Sequence, residues 1–299
     1  MATFSDLVNS VRSNLQGYTL RQDRITYLAN AITASDTAIT VGSSSNLAKG
    51  IIEVDDELIW IDNFDKANAT MNAIPGGFGR GYMGSTAASH AQYAPVYLSP
   101  TFPRQMIKQA INDTINSFYP KLWGVGRTTF TFNASQTTYS LPADVETVLY
   151  ASWQTTGSSL EWLPINRWRP DGLANTTAFP TGNTINIYEN IQPGRTVQVV
   201  YSKEPSLLLN NGDDFATTTG LPASCEDVVI YGACYRLLSF IDPGRINLTS
   251  AEADLMNSKV PSGAGTNASR YVFALFQQRL NEEALKLADK NPIRVHFTR

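Results

Sequence analysis

Residues 99–123 of the chain read SPTFPRQMIKQAINDTINSFYPKLW and form the clearest amphipathic helix pattern in the sequence. The apolar residues that define one face of this helix recur at intervals of three and four: Ile107, Ile111, Ile115, Phe118 and Leu122. Pro103 suits the first turn, because the N–H that proline lacks has no partner there. Pro120 is expected to kink or end the last turn. This helix separates two stretches with a β pattern, so the chain order reads helix, β, helix, β, and then helices again.

The composition is that of a globular protein. The chain has 299 residues, of which 42% are hydrophobic, enough for a core in one large domain or two modest ones. Charged residues make up 16%, below the roughly 25% of typical soluble domains, and neutral polar surface of this kind is common in extracellular and assembly proteins. The net charge of −3 argues against a broad nucleic-acid-binding face, which needs clustered Lys and Arg. Passive contact with DNA stays open.

Cysteine and histidine usage argues against a disulfide and against a dedicated zinc site. Cys225 and Cys234 lie nine residues apart on a predicted helix, on opposite sides and about 13 Å apart along its axis, too far for a bond. His90 and His296 are the two histidines, and no Cys-x-x-Cys is present. The N-terminal residues lack a signal-peptide pattern, and no apolar run is long enough to span a membrane. We therefore expect a soluble product made in a cytosol.

Two regions are predicted to be rich in β-strands, because short apolar runs alternate there with Gly, Asn, Asp and Ser. A short helix with apolar residues at helical spacing precedes the first region, within residues 1–21. In the first β region, 22–99, Asp55-Asp56 is expected to turn IIEV back into ELIWI as a hairpin. The second β region is 124–206.

Helical patterns return after residue 207. Ser224-x-x-Asp227 has the form of a capping box, with Asp in the usual Glu or Gln position, and is expected to begin a helix. A tract rich in Ser, Asn and Gly, 243–266, is predicted to be a loop. It leads to a second helix, which Asn267 or Ser269 is expected to cap.

The predicted fold class is α+β, a helical bundle carrying two β-rich regions, of which one is an inserted small all-β module. The predicted divisions are an N-terminal helix at 1–21, the β module at 22–99, a central helix at 100–123, a β-rich domain at 124–206, and C-terminal helices with a long loop and an extended tail at 207–299, which pack with the central helix.

Gly79-x-Gly81-x-x-Gly84 fits the dinucleotide-binding fingerprint letter for letter. No buried parallel strand leads into it, however, and about twenty residues on, where the fingerprint requires an acid, the chain has Arg104. No Ser, Cys or Lys stands in a nucleophile motif. We therefore expect no enzymatic activity and no bound metal, nucleotide or other cofactor.

The acidic residues around the predicted hairpin, Glu53, Asp55, Asp56 and Glu57, are of the type that forms a glycosidase carboxylate pair. At a hairpin tip they are more simply turn and solvent residues, and this is the interpretation that we prefer.

The stretch GFGRGYMGSTAASHAQYAPVYL resembles a segment that ends a small β module in structural proteins of tailed phages. That segment has Arg-Gly, two residues, Gly-Thr-Thr-Ala, then a histidine and Pro-Val; here Ser85 replaces the first Thr, and residues 92–94 depart from it. The residues that carry the resemblance are Arg80, Gly81, Gly84, Thr86 and His90. The glycines allow a tight chain path, and Thr86 and His90 are expected to hydrogen-bond loop backbone.

From about Thr101 onward the order of elements resembles head-to-tail adaptor or connector proteins of tailed phages. The matching features are the helix ending Ser117-Phe118-Tyr119-Pro120, the β region closing with VQVVY at 197–201, the capped helix from Ser224 and the helix over 270–290. The resemblance implies a virion protein of the neck that forms a ring, expected to be dodecameric, with copies of itself. It also implies contacts with the portal protein and with tail or neck proteins, a passage for double-stranded DNA without sequence-specific binding, and no contact with a membrane.

Two sets of residues are candidates for interfaces. Trp153, Trp162 and Trp168 would suit a virion-surface or tail-associated module that binds glycan or protein, which is the alternative to the adaptor function, although core and strand-pairing roles suit them better. In the C-terminal tail, Ile293, Val295 and Phe297 alternate with polar residues as in an edge strand. The tail is therefore a candidate to pair with a sheet in a neighbouring copy or with the next ring, and the alternative is a frayed terminus.

Overall fold

The computed structural model describes residues 2–18, 23–75, 78–156, 161–239 and 264–292. The predicted tail and most of the predicted loop over 243–266 lie outside these ranges. The chain divides into two compact units. We call the unit made of residues 6–111 and 230–273 the six-stranded unit, and the unit made of residues 1–5, 112–229 and 274–299 the two-sheet unit.

Helices and strands both contribute substantially to the described residues, so the fold is α+β. The helices are α1 Phe4–Gln16, α2 Arg104–Asn116, α3 Phe215–Thr219, α4 Glu226–Ser239 and α5 Ala264–Lys290. Among the described residues, no helix combines the length and apolar character that crossing a membrane requires.

The central helix, α2, has the predicted buried face but is shorter than expected. Ile107, Ile111 and Ile115 are fully buried, and the carbonyl of Pro103 accepts the first helical hydrogen bond, from the N–H of Ile107 at 3.1 Å. The helix ends at Asn116 rather than near Trp123. The apolar residues of the predicted last turn, Phe118 and Leu122, are buried in the turns that follow the helix. Proline at 120 explains the early end, because it has no N–H to donate and disfavours a helical residue before it.

The six-stranded unit contains an antiparallel sheet. Its strands are β1 Arg24–Tyr27, β2 Ala38–Thr40, β3 Gly50–Val54, β4 Glu57–Asp65, β5 Thr70–Ala73 and β6 Pro95–Leu98, in the spatial order β1-β6-β3-β4-β5-β2. The predicted hairpin is confirmed, since Val54 pairs with Glu57 across Asp55-Asp56. The four residues of β5, TMNA, carry little β pattern, so the sequence alone does not identify this strand. Whether 22–99 folds as a separate module stays a prediction.

The two-sheet unit packs two antiparallel sheets around one core. Its strands are β7 Gly124–Thr131, β8 Thr138–Ser140, β9 Thr147–Gln154, β10 Trp162–Pro164, β11 Trp168–Asp171, β12 Thr184–Ile187 and β13 Thr196–Lys203. One sheet has the order β10-β9-β13-β7 and the other β11-β12-β8. Buried side chains of both sheets form a single apolar cluster that includes Ile185 and Val199. Gly126 lies opposite Tyr201, and a Cβ there would lie 2.3 Å from the tyrosine ring, so this position requires glycine.

The helix predicted after residue 224 is present as α4, but the capping box is not. Ser224 lies in a 3₁₀ turn over Ala223–Cys225, and its hydroxyl donates to Glu283 Oε2 of α5 at 2.5 Å. Asp227 accepts a hydrogen bond of 2.6 Å from Nε of Arg279, also in α5. Both side chains therefore serve contacts between helices, which local spacing does not reveal.

The second C-terminal helix begins earlier than predicted. Because α5 starts at Ala264, Asn267 and Ser269 lie inside the helix and do not cap it. The hydroxyl of Ser269 donates instead to the carbonyl of Tyr235 in α4 at 3.2 Å. The last residues of the tract that was predicted to be a loop are thus helical.

Candidate functional site

A polar cluster with three buried members and one exposed member, Asp55, lies in the six-stranded unit, where the β3–β4 hairpin meets residues 80–90, which we call the signature loop. We define the Glu57 cluster as Asp55, Glu57, Arg80 and His90. The exposed fraction is 1% for Glu57, 7% for Arg80 and 4% for His90. Arg80 binds the Glu57 carboxylate with two hydrogen bonds, Nε to Oε1 at 2.7 Å and Nη2 to Oε2 at 2.8 Å. The His90 ring joins Glu57 Oε2 through Nε2 and Asp55 Oδ2 through Nδ1, both at 2.8 Å.

Backbone groups of the signature loop complete the Glu57 cluster. The N–H of Gly81 donates to Glu57 Oε1 at 3.0 Å, and the N–H of Ala88 donates to Oε2 at 3.1 Å. Arg80 in turn donates to the carbonyls of Thr33, Asp36 and Ala88 at 2.6–2.7 Å. One carboxylate and one guanidinium thus hold the loop against the hairpin at several points.

The electrostatics of the cluster stabilise its charged forms. Burial alone would raise the pKa of the Glu57 carboxyl, but hydrogen bonds from Arg80, His90 and the two backbone N–H groups outweigh it and lower the pKa to about 2. Hydrogen bonds to Asp55 and Glu57 raise the pKa of His90 from its ordinary 6.5 to about 9. At neutral pH Glu57 is therefore an anion and His90 a cation, and the two are paired within the cluster. Such pairing holds the loop in place.

The preferred interpretation of the hairpin carboxylates is wrong for two of the four. Glu53 and Glu57 are buried and bind arginines, whereas we expected turn and solvent residues. Glu53 forms an ion pair with Arg12 of α1, and its Oε2 accepts the backbone N–H of Arg104, at the start of α2, at 2.6 Å. Arg12 also stacks on the ring of Tyr97, 4.3 Å from its centroid. Each buried acid thus has its own cation, Arg12 of α1 for Glu53 and Arg80 of the signature loop for Glu57, so neither charge is buried unpaired.

Signals for these buried ions were present in the sequence. Glu57 is the first residue of the apolar strand ELIWI, where an acid that becomes buried needs a specific partner. Arg12 lies between Val11 and Leu15 on the apolar side of the first helix pattern, where a cation also needs a partner. Both signals predict a buried charge, but neither identifies its counterpart.

Among the described residues, neither the His90 ring nor the Thr86 side chain makes the hydrogen bond to loop backbone that we expected. The His90 ring binds carboxylates rather than loop backbone, since the hairpin brings Asp55 and Glu57 to it. Thr86 is exposed. Gly81 and Gly84 have φ values of 65° and 81°, which explains the preference for glycine at both positions.

The glycine-rich stretch over residues 79–84 does not have the backbone geometry of a dinucleotide-binding turn. The Gly-x-Gly-x-x-Gly stretch leads into a 3₁₀ turn over Tyr82–Gly84 rather than into the N-terminus of a long helix, which a dinucleotide would require. Within the described part of the chain, no group of three or more His, Cys, Asp or Glu side chains is arranged to hold a metal ion. Cys225 and Cys234 are free and buried, and burial raises the pKa of each thiol to about 12. Neither is therefore a reactive thiolate.

The three candidate tryptophans belong to the two-sheet unit but do not form one surface. Trp153 packs partly buried against the apolar core, and Trp168 is buried. Trp162 is 42% exposed. Trp162 and Trp168 line a common cavity of about 450 Å³, together with Tyr150, Ser152, Gln198 and Lys290. The other interface candidates, Ile293, Val295 and Phe297, lie outside the described residues.

A comparison with protein families gives a match over most of the chain. The model of the SU10 adaptor protein family matches residues 85–295, and no curated protein matches the chain. The matched segment takes in α2, both sheets of the two-sheet unit, α4 and α5, whereas 1–84, with α1 and the strands β1 to β5, precedes it. Since the match covers more than half of the sequence, the chain belongs to the SU10 adaptor protein family.

Proposed function

We propose that this protein is a head-to-tail adaptor of a tailed phage. Copies of the chain form a ring, expected to be dodecameric, in the neck of the virion between the portal and the tail or neck proteins. The ring surrounds a passage for double-stranded DNA, and the helices form a bundle that carries the two β-rich regions. The observation that carries this proposal is the family match over residues 85–295.

Exposed apolar side chains of the two-sheet unit support an assembly function. They lie on several elements: Leu173, Tyr188, Leu207, Leu209 and Leu285. Leu207 and Leu209 flank Leu208, whose backbone is held by the Asn112 amide through two hydrogen bonds of 2.8 and 3.1 Å. A ring needs two different complementary faces on each copy, and apolar side chains on a fixed backbone suit such faces.

The charge of the chain suits a passage for DNA. With 23 basic and 26 acidic residues, the protein has no excess of cations to neutralise phosphates. A duplex can then move past the protein without being retained.

Electron microscopy and mass photometry test the proposal. The purified protein is imaged by negative stain alone and with the portal of the same phage, and rings of about twelve copies on the portal are expected. The variant Leu209→Asp is expected to weaken ring formation with an unchanged circular dichroism spectrum, and Asp62→Asn, an exposed change in the other unit, serves as the control. Protein that stays monomeric and does not bind portal at micromolar concentration would refute the adaptor function.

A second candidate function is a virion-surface or tail-associated module that binds glycan or protein. The cavity that Trp162 and Trp168 line favours it, because aromatic rings beside polar groups bind sugars and peptides alike. Glycan-array binding that Trp162→Ala abolishes, with ring formation unchanged, would support this function. No binding above background would remove it.

A further inference from the structure

The cavity in the two-sheet unit lies on the face of the β10-β9-β13-β7 sheet at its β10 edge. Ser152 of β9 is paired with Gln198 of β13 and Pro164 of β10, and all three line the cavity. The edge strand β10, Trp162–Pro164, is exposed along its length. In the described sheet, β10 has a partner on one side only, and an edge of this kind can accept a further strand.

Two side chains of the cavity wall have unsatisfied polar atoms. Ser152 Oγ and Trp168 Nε1 are buried and have no hydrogen-bond partner among the described residues. Both atoms are donors, and an extended peptide presents a carbonyl oxygen at every residue. The cavity volume, about 450 Å³, falls within the range of ligand-binding pockets, roughly 300–1,000 Å³.

The chain itself leads into this cavity. α5 ends at Lys290, and Lys290, Asn291 and Pro292 form one wall of the cavity. Seven residues, 293–299, follow directly and read IRVHFTR. An extended segment of that length spans about 23 Å, enough to follow the edge of a sheet over several residues.

We propose that this cavity, with the outer edge of β10, is the binding site for residues 293–299 of the same chain. The segment adds to β10 as a strand, and its alternate apolar residues, Ile293, Val295 and Phe297, face the cavity and Trp162. Its backbone N–H and carbonyl groups pair with those on the outer edge of β10.

Residues 293–299 of the same chain are the occupant of the cavity because this segment starts beside it. Pro292 already lines the cavity, so residue 293 starts at the cavity wall. A separate molecule would need a concentration of about millimolar to compete with a segment attached there. The sequence analysis predicted pairing of the tail with a neighbouring copy. The cavity gives the tail a site within a single chain, so the proposal does not depend on ring formation.

A peptide-binding experiment tests the proposal with three proteins: the full chain, the chain truncated after Pro292, and the truncated chain with Trp162→Ala. The probe is a fluorescent peptide of residues 292–299, followed by polarisation at low protein concentration. We expect saturable binding to the truncated chain and at least tenfold weaker binding to the full chain, whose own tail fills the site. Trp162→Ala should weaken binding at least tenfold.

Two controls make the result specific. Tyr188→Ala, in the truncated chain, removes a ring that is 47% exposed in the same unit but outside the cavity, and should leave binding unchanged. A peptide in which the three apolar residues exchange places with the polar residues that follow them should bind at least tenfold more weakly.

Three results would overturn the proposal: no binding to the truncated chain, equal binding of both peptides, or an unchanged affinity with Trp162→Ala. Equal binding to the full and truncated chains would also overturn it, and would assign the site to the tail of a neighbouring copy. Ring formation by the truncated chain, observed separately by electron microscopy, tests the adaptor function and leaves these outcomes unaffected.

Discussion

Replacing Glu57 by glutamine should release the signature loop and destabilise the six-stranded unit. Glu57→Gln keeps the shape of the side chain but removes the charge that pairs with Arg80 and His90, both of which stay buried. It also places an amide N–H₂ group near donors, so that the N–H of Gly81 or of Ala88 loses its acceptor. Breaking a buried ion pair by removing one partner costs about 3–5 kcal/mol. Since domains are stable by about 5–15 kcal/mol, we expect a loss of about a third or more of the stability of this unit.

Hydrogen exchange and urea unfolding measure this effect separately. Amide exchange in the peptide over residues 80–90, read by mass spectrometry at pH 7, should accelerate by two orders of magnitude or more, because the loop loses its anchor. The urea midpoint of the unit should fall with it. Asp62→Asn removes an exposed carboxylate from the same strand, β4, and should change stability by less than about 0.5 kcal/mol. A loss below about 1 kcal/mol with unchanged exchange in the loop would show that Glu57 is not the anchor.

Three further predictions concern the same unit. Because the pKa of His90 is raised from 6.5 to about 9, its stabilising effect is complete below pH 6.5 and is lost as the pH rises to 9. The unfolding free energy should fall over that range by on the order of 3 kcal/mol. The variant His90→Gln should remove this pH dependence of the unfolding free energy. Deletion of 22–99 removes both Glu53 and Tyr97 from Arg12, which then becomes solvated, so the remaining helices should keep a cooperative thermal transition, as read by circular dichroism. Ile111→Ala should cost about 2–5 kcal/mol in urea unfolding, since Ile111 is fully buried, and Ile111→Val about 1 kcal/mol.

Local patterns in the sequence were sufficient to predict the elements whose cause is local. The apolar face of α2 follows from residue spacing, and the β3–β4 hairpin follows from two adjacent aspartates between apolar runs. The early end of α2 shows the limit of this reasoning. The apolar spacing continues through Phe118 and Leu122, but these residues are buried without being helical. Burial of side chains sets the spacing of the apolar residues, whereas Pro120 restricts the backbone. These are separate constraints.

The partners of the buried ions could not be predicted, because each partner is distant in sequence. Arg80 follows Glu57 by 23 residues, and Arg12 precedes Glu53 by 41. Ser224 and Asp227 show the converse error, in which spacing suggests a capping box but partners from α5 take both side chains. Charge–charge contacts have no sequence period, so only the folded chain identifies them.

The chain enters and leaves the six-stranded sheet on neighbouring strands, so deletion of 22–99 tests whether this segment is an insertion. β1 and β6 carry the chain into and out of the sheet, and they pair with Arg24 opposite Leu98. Opposed Cα atoms in an antiparallel pair lie about 4.5–5.5 Å apart, so the two ends of the segment are close together at Arg24 and Leu98. An insertion with adjacent ends disturbs its host least. The deletion then removes defined contacts of the Glu53 side chain, with Arg12 and with the backbone N–H of Arg104. If the deleted chain shows no cooperative unfolding transition, these contacts are essential to the helices, and 22–99 is part of their core rather than an insertion.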